Sequence, residues 1–181
     1  MRKSEPDPNA APEPSFPDRF AALFADQHPR LSRLLQRLSG DPALAADVVQ
    51  EAFVRLYRRG ALPAEPGAWL VTVALNLLRN ERATHARRLR LLTPALHERV
   101  LADPPLPPDE AVGAEEARRH VRSVLERIPE RDRALLLLQA EGYRYGEIAA
   151  ALGLQESSIG VFLARARRAF RKAYEETRDA R

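Results

Sequence analysis

Apolar residues recur at three- and four-residue spacing through most of this chain, and no stretch shows the period of two that a half-buried strand requires. The first run joins Phe20, Leu23 and Phe24 to Leu31, Leu34, Leu35 and Leu38, and Ser39-Gly40 closes it. Pro29 falls inside this run. It predicts an interruption, or the first turn of a second helix, because proline lacks a backbone donor and crowds the preceding turn. Asp41-Pro42 reads as an N-cap with a first-turn proline. The helix that follows buries Leu44, Val48, Ala52, Phe53 and Leu56 and stops near Gly60. A short loop to Pro66 leads to a long helix through Trp69, Leu70, Val73 and Leu77 to about Arg90. Pattern resumes near Glu115 with Val121, Val124, Leu125 and Ile128, and Pro129 opens a helix through Leu135 to Leu138.

Two segments break the periodicity. Residues 1–17 hold five prolines and little hydrophobicity, the composition of a disordered tail. Residues 92–114 set Pro94, Pro104, Pro105, Pro107 and Pro108 among Glu98, Asp103, Asp109 and Glu110, which predicts an acidic, extended linker. The expected fold is therefore all-α. Two small helical domains, residues 18–91 and 115–178, are joined by a flexible linker.

The most informative stretch is 145–172. Ile148, Leu152, Leu154, Ile159 and Phe162 fall where two short crossing helices share a small core, with Ala149 leaving room for the crossing. Gly153 stands at the turn, where a positive φ is cheap only for glycine. Arg165, Arg167, Arg168, Arg171 and Lys172 follow on the second helix, and no acid lies between Ser157 and Tyr174. A helix-turn-helix of this kind, with cations at its far end, suits a DNA major groove and its flanking phosphates. Gln155, Ser157 and Ser158 sit at the start of the second helix, within reach of phosphate or base edges.

Composition narrows the classes. The 181 residues carry a net charge of +4, unevenly distributed. Zero cysteines exclude disulfides and thiolate metal sites and fit a cytoplasmic protein. His28, His85, His97 and His120 show no ligand spacing, so no metal or cofactor is expected. No apolar run reaches the length of a membrane span, and the first residues predict no secretion signal. With no glycine-rich phosphate loop and no nucleophile–base spacing, an enzyme is not expected.

Three segments carry a resemblance to a known family. AADVVQEAFVRLY (Ala45 to Tyr57), AWLVTVALNLLRNERATHARR (Ala68 to Arg88) and RIPERDRALLLLQAEGYRYGEIAAALGL with SSIGVFLARARR resemble, in order and at the expected separations, the extracytoplasmic-function sigma factors of bacterial RNA polymerase. The resemblance covers about residues 19–90 and 115–175. It implies a promoter-specificity subunit: a sigma region 2 that binds core polymerase and opens the −10 element, and a winged-helix-like sigma region 4 that reads the −35 element. An anti-sigma protein between the domains is a further partner that the linker permits.

Residue by residue, the resemblance implies that Asp47, Gln50 and Glu51, three and four positions apart on one helix face, dock on the clamp helices of the polymerase's largest subunit. Arg58, Arg59, Trp69, Asn76, Arg79, Asn80, Arg82, Arg87 and Arg88 are expected at the −10 or melted DNA. Gln155, Ser157, Ser158, Arg165, Arg167, Arg168 and Arg171 are expected at the −35 duplex. Gly160 and Phe162 depart from the family, which often carries lysine and arginine there, and Asn80 replaces its usual aspartate. The alternative is a free-standing helix-turn-helix regulator that binds duplex DNA without polymerase; it would need only the C-terminal domain.

Overall fold

The computed structural model describes residues 14–91 and 112–179, and every regular element among them is helical. Seven α-helices run α1 (Phe16–Ser39), α2 (Pro42–Arg58), α3 (Pro66–Leu91), α4 (Val112–Arg127), α5 (Glu130–Ala140), α6 (Tyr145–Leu152) and α7 (Ile159–Asp179). A 3₁₀ turn, Glu156–Ser158, links the last two.

Local signals explain the boundaries. Ser15 and Asp18 form a reciprocal capping box, so α1 starts at Phe16 and takes in the last two residues of the expected 1–17 tail. Residues 1–13 lie outside the described residues, as do 92–111 of the expected linker. At the N-cap of α2, the Asp41 carboxylate accepts from the backbone of Ala43 and Leu44 at 2.9 and 3.1 Å. Gly40 and Gly153 end α1 and α6 in the left-handed conformation. α4 begins at Val112, three residues before the periodic pattern.

Pro29 corrects the sequence reading. α1 runs through it without a break. An interior proline costs a helix about 3 kcal/mol, but packing on both sides of it outweighs that. Leu31, Leu34, Leu35 and Leu38 are buried on the C-terminal side, and Phe20, Phe24 and His28 pack on Phe53 of α2 on the other.

α1, α2 and α3 form one three-helix group around Leu34, Leu35, Val49, Leu56, Leu70 and Val71. In the other, α7 lies across α4, α5 and α6, burying Leu135, Leu138, Ile148, Ile159 and Leu163. A satellite cluster of Val124, Ile128 and Ala173 holds α4 on α7. The two groups also touch. α3 packs on α6 and α1 on α5, so the buried apolar residues of both form one continuous cluster.

A polar latch borders this seam. The side chain of Glu141, which follows α5, is 3% exposed, with Arg33 Nε donating to Oε2 at 2.8 Å and Arg37 Nη1 lying 2.7 Å from Oε1. Arg30 donates to the Glu141 carbonyl at 3.2 Å and sets its guanidinium 4.3 Å above the Tyr143 ring. Nearby, the backbone of Gly67 at the start of α3 comes so close to α6 that a Cβ there would stand 3.0 Å from Glu147 Oε1 and 3.3 Å from Gln27 Oε1.

Candidate nucleic-acid interface

The helix-turn-helix is built by α6, the 3₁₀ turn and α7. Ile159, Leu163 and Ala166 are fully buried on one side of α7, and Phe162 is half-buried against the core. Helical spacing puts Ser157, Val161, Ala164 and Arg168 on the opposite side. Gln155, Ser157 and Gly160 are exposed there, while Ser158 is half-buried in the turn.

The arginines divide into two kinds. Arg165 Nη2 binds Asp132 of α5 at 2.6 Å, and that carboxylate is 4% exposed. Its guanidinium also approaches the Phe162 ring, which Arg131 covers at 4.9 Å. Arg167 donates to Gln139 at 2.8 Å. Both therefore brace α7 against α5, a role that side-chain spacing along one helix cannot reveal. Arg168 and Arg171 are exposed and make no ion pair or hydrogen bond among the described residues. Lys172 lies 3.9 Å from Glu176.

On α3, Trp69, Asn76, Asn80 and Arg87 share one face, seven, four and seven positions apart. Asn76, Asn80 and Arg87 are exposed and Trp69 is half-buried. Asn76 is not a buried amide: its Oδ1 accepts from Arg79 Nη1 at 2.8 Å on the surface. Arg82 points elsewhere. Its guanidinium donates to the Leu38 carbonyl. Burial, and then the neighbouring charge of Arg133, draw it below the usual arginine range. It ties α3 to the end of α1 rather than joining the exposed face. Arg58 and Arg59 are exposed where α2 ends, and the side chain of Arg88 lies outside the described residues.

Asp47, Gln50 and Glu51 are brought together on the exposed side of α2, with Glu51 accepting from Arg55 at 2.7 Å. Beside them runs an apolar groove between α1 and α2, lined by Phe20, Phe24, His28, Phe53, Val54 and Tyr57, with Gln50 on its edge. Tyr57 is 56% exposed and packs on Phe16 and Phe20 rather than in a core. The groove is absent from the sequence reading, although Phe16, Phe20 and Phe24 at four-residue steps carry its signal. Among the described residues no cluster of metal-ligating side chains occurs, and no single helix is long and apolar enough to cross a membrane.

Residues 23–88 match the family model for sigma-70 region 2, and residues 118–170 that for sigma-70 region 4. The chain is 34% identical over 170 residues to the RNA polymerase sigma factor CarQ of Myxococcus xanthus, covering 87% of this chain and 88% of that one. It is 34% identical over 143 residues to the ECF RNA polymerase sigma factor SigJ of Mycobacterium tuberculosis, covering 77% of this chain but 46% of the longer relative. In fold it is similar to the sigma factor RpoE of Bartonella quintana, solved in complex with the anti-sigma factor NepR. That match has a TM-score of 0.66 and 19% identity over 87% of this chain and 97% of that one.

Proposed function

The chain belongs to the RNA polymerase sigma factors of the extracytoplasmic-function type, and from that membership we propose how its surfaces divide the work. Asp47, Gln50 and Glu51, with the aromatic groove beside them, form the docking edge for the clamp helices of the polymerase's largest subunit. The acids offer charge-assisted bonds, and the groove supplies apolar area. Trp69, Asn76, Asn80 and Arg87 on the open face of α3 attend the −10 element, with Arg79 at its margin and Arg58 and Arg59 at the adjoining loop. Gln155, Ser157 and Arg168 meet the −35 duplex, and Arg171 adds phosphate contact. Sequence-independent affinity comes from those cations. The factor works in the cytoplasm and makes no nucleotide bonds itself.

The observation that carries this reading is an ordered pair. A region-2 match carries an acidic edge beside an apolar groove, and a region-4 match carries a cation-bearing helix-turn-helix, which supports the division of work proposed above. A free-standing duplex binder would have no use for the first half.

Closure of the two groups gives the proposal a physical consequence. A packed body of this size is roughly 40 Å across. Elements centred near −35 and −10 are about 25 base pairs apart, or roughly 85 Å at 3.4 Å per step. The seam must part before one molecule can reach both, and core polymerase is the partner that would hold the halves apart. An anti-sigma factor between the halves would bias the same equilibrium differently, by holding them in an arrangement that core polymerase does not fit.

Run-off transcription from genomic fragments, with core enzyme plus or minus the chain, tests the assignment. Start sites that depend on the chain are expected; finding none would overturn it.

A further inference from the structure

The reading helix presents an unusual face. In a helix-turn-helix the first residues of the second helix approach the base edges. Here those turns carry no available cation. Arg165, the first arginine of α7, is held by Asp132 at 2.6 Å, and Arg167 is turned toward Gln139. The commonest specific contact, arginine or lysine paired with guanine, is therefore missing from the part of the helix that enters the groove. In its place stands Val161, 70% exposed, a larger exposed fraction than that of Phe24, Tyr57, Val121, Tyr145 or Tyr174. It lies diametrically opposite buried Ile159, Leu163 and Ala166. Its neighbours on that side are small: Gly160, whose missing side chain faces open space, and Ala164.

Resting on the promoter-binding assignment above, we propose that Val161 is the chief base-reading side chain of this factor, its methyl groups packing on the C5-methyl of a thymine in the −35 major groove. Apolar contact is the one way an aliphatic side chain distinguishes a base there, and thymine alone offers a methyl. Gly160 and Ala164 let the helix backbone settle deep enough for a side chain as short as valine to reach the groove floor. Ser157, one turn earlier on the same side, has a hydroxyl for a base edge or phosphate, and Arg168, two turns later, meets the backbone. The face selects an A·T pair at its centre, where its first two turns hold no available cation with which to select a guanine.

The test uses reconstituted holoenzyme. Initiation from a library randomised across the −35 region is sequenced, and each thymine in the enriched element is then replaced singly by uracil, which lacks only the methyl. One position should demand thymine, and uracil there should lower initiation about four-fold, the factor one buried methyl supports. Val161→Ala, at a site too exposed to affect folding, should relax that position alone and respond equally to thymine and uracil. An enriched guanine at the centre, or wild-type initiation indifferent to every uracil, would overturn the proposal. So would a Val161→Ala loss that is uniform across the library, because that marks a protein contact. A library from which nothing initiates in a chain-dependent way removes the promoter-binding assignment instead, and this proposal with it.

Discussion

Arg33 in α1 and Glu141 after α5 meet at 2.8 Å across the seam between the two helical groups, 108 positions apart in sequence. Replacing Arg33 and Arg37 together with alanine leaves the Glu141 carboxylate buried without its cations, and burying an unpaired charge is strongly unfavourable. Parting the groups relieves it by admitting water. The double variant should keep its helicity by circular dichroism while its radius of gyration in small-angle scattering rises above that of the wild type, for which a packed body of this length sets a floor of ~16 Å. If core polymerase engages the open form, its apparent affinity should also rise several-fold. Unchanged scattering would mean that the apolar cluster alone holds the seam.

The bond between Arg165 and Asp132 predicts a structural phenotype. Arg165→Ala should lower stability by about 1–3 kcal/mol, less than a fully buried pair because the arginine is half-exposed. Urea titration measures this. Its effect on the salt dependence of duplex binding should be small. Arg168→Ala should do the reverse, leaving the unfolding midpoint in place and reducing the slope of log affinity against log salt by about one.

Tyr143 supplies a pH dependence. Burial, partly offset by the charge of Arg30, raises its phenol from the usual 10 to about 12. Between those values the unfolded chain releases the proton and the folded one keeps it, so stability falls as pH rises from about 10 and this contribution is gone above about 12. A shift of two units corresponds to roughly 2–3 kcal/mol. Denaturation at pH 9, 10.5 and 12 should show this loss in the wild type and not in Tyr143→Phe. At neutral pH the phenylalanine variant should be no less stable, because the phenolic oxygen makes no hydrogen bond among the described residues.

For the docking edge, Asp47→Lys combined with Glu51→Lys should abolish co-elution with core enzyme and leave the helical spectrum intact, since Asp47 is exposed and Glu51 is half-buried with only a surface pair to Arg55. Retained co-elution would move the interface elsewhere.

Much of this architecture was legible before the structure, for local reasons. The Asp41 cap, the turn at Gly153 and the apolar periods of α2, α3 and α7 are decided within a few residues of chain. The cover over Leu137, Leu138 and Ile148 was not, because a period says which side of a helix is buried and not what buries it. Arg165 shows the same limit: five cations on a helix look alike until one finds an acid on another helix. Pro29 failed as a signal because packing of Phe24 and Leu31 on either side outweighs a local rule.

Among the described glycines, Gly67 leaves the least room for a methyl, and both side chains that it would meet are restrained. The Glu147 carboxylate caps α6 through the Arg144 backbone at 2.8 Å, and Gln27 is 6% exposed. Close-packed interfaces switch between arrangements more readily than they stretch. An alanine at position 67 would therefore crowd the start of α3 against Glu147 and Gln27, and the closed arrangement should lose ground to the parted one by whatever those two side chains fail to yield.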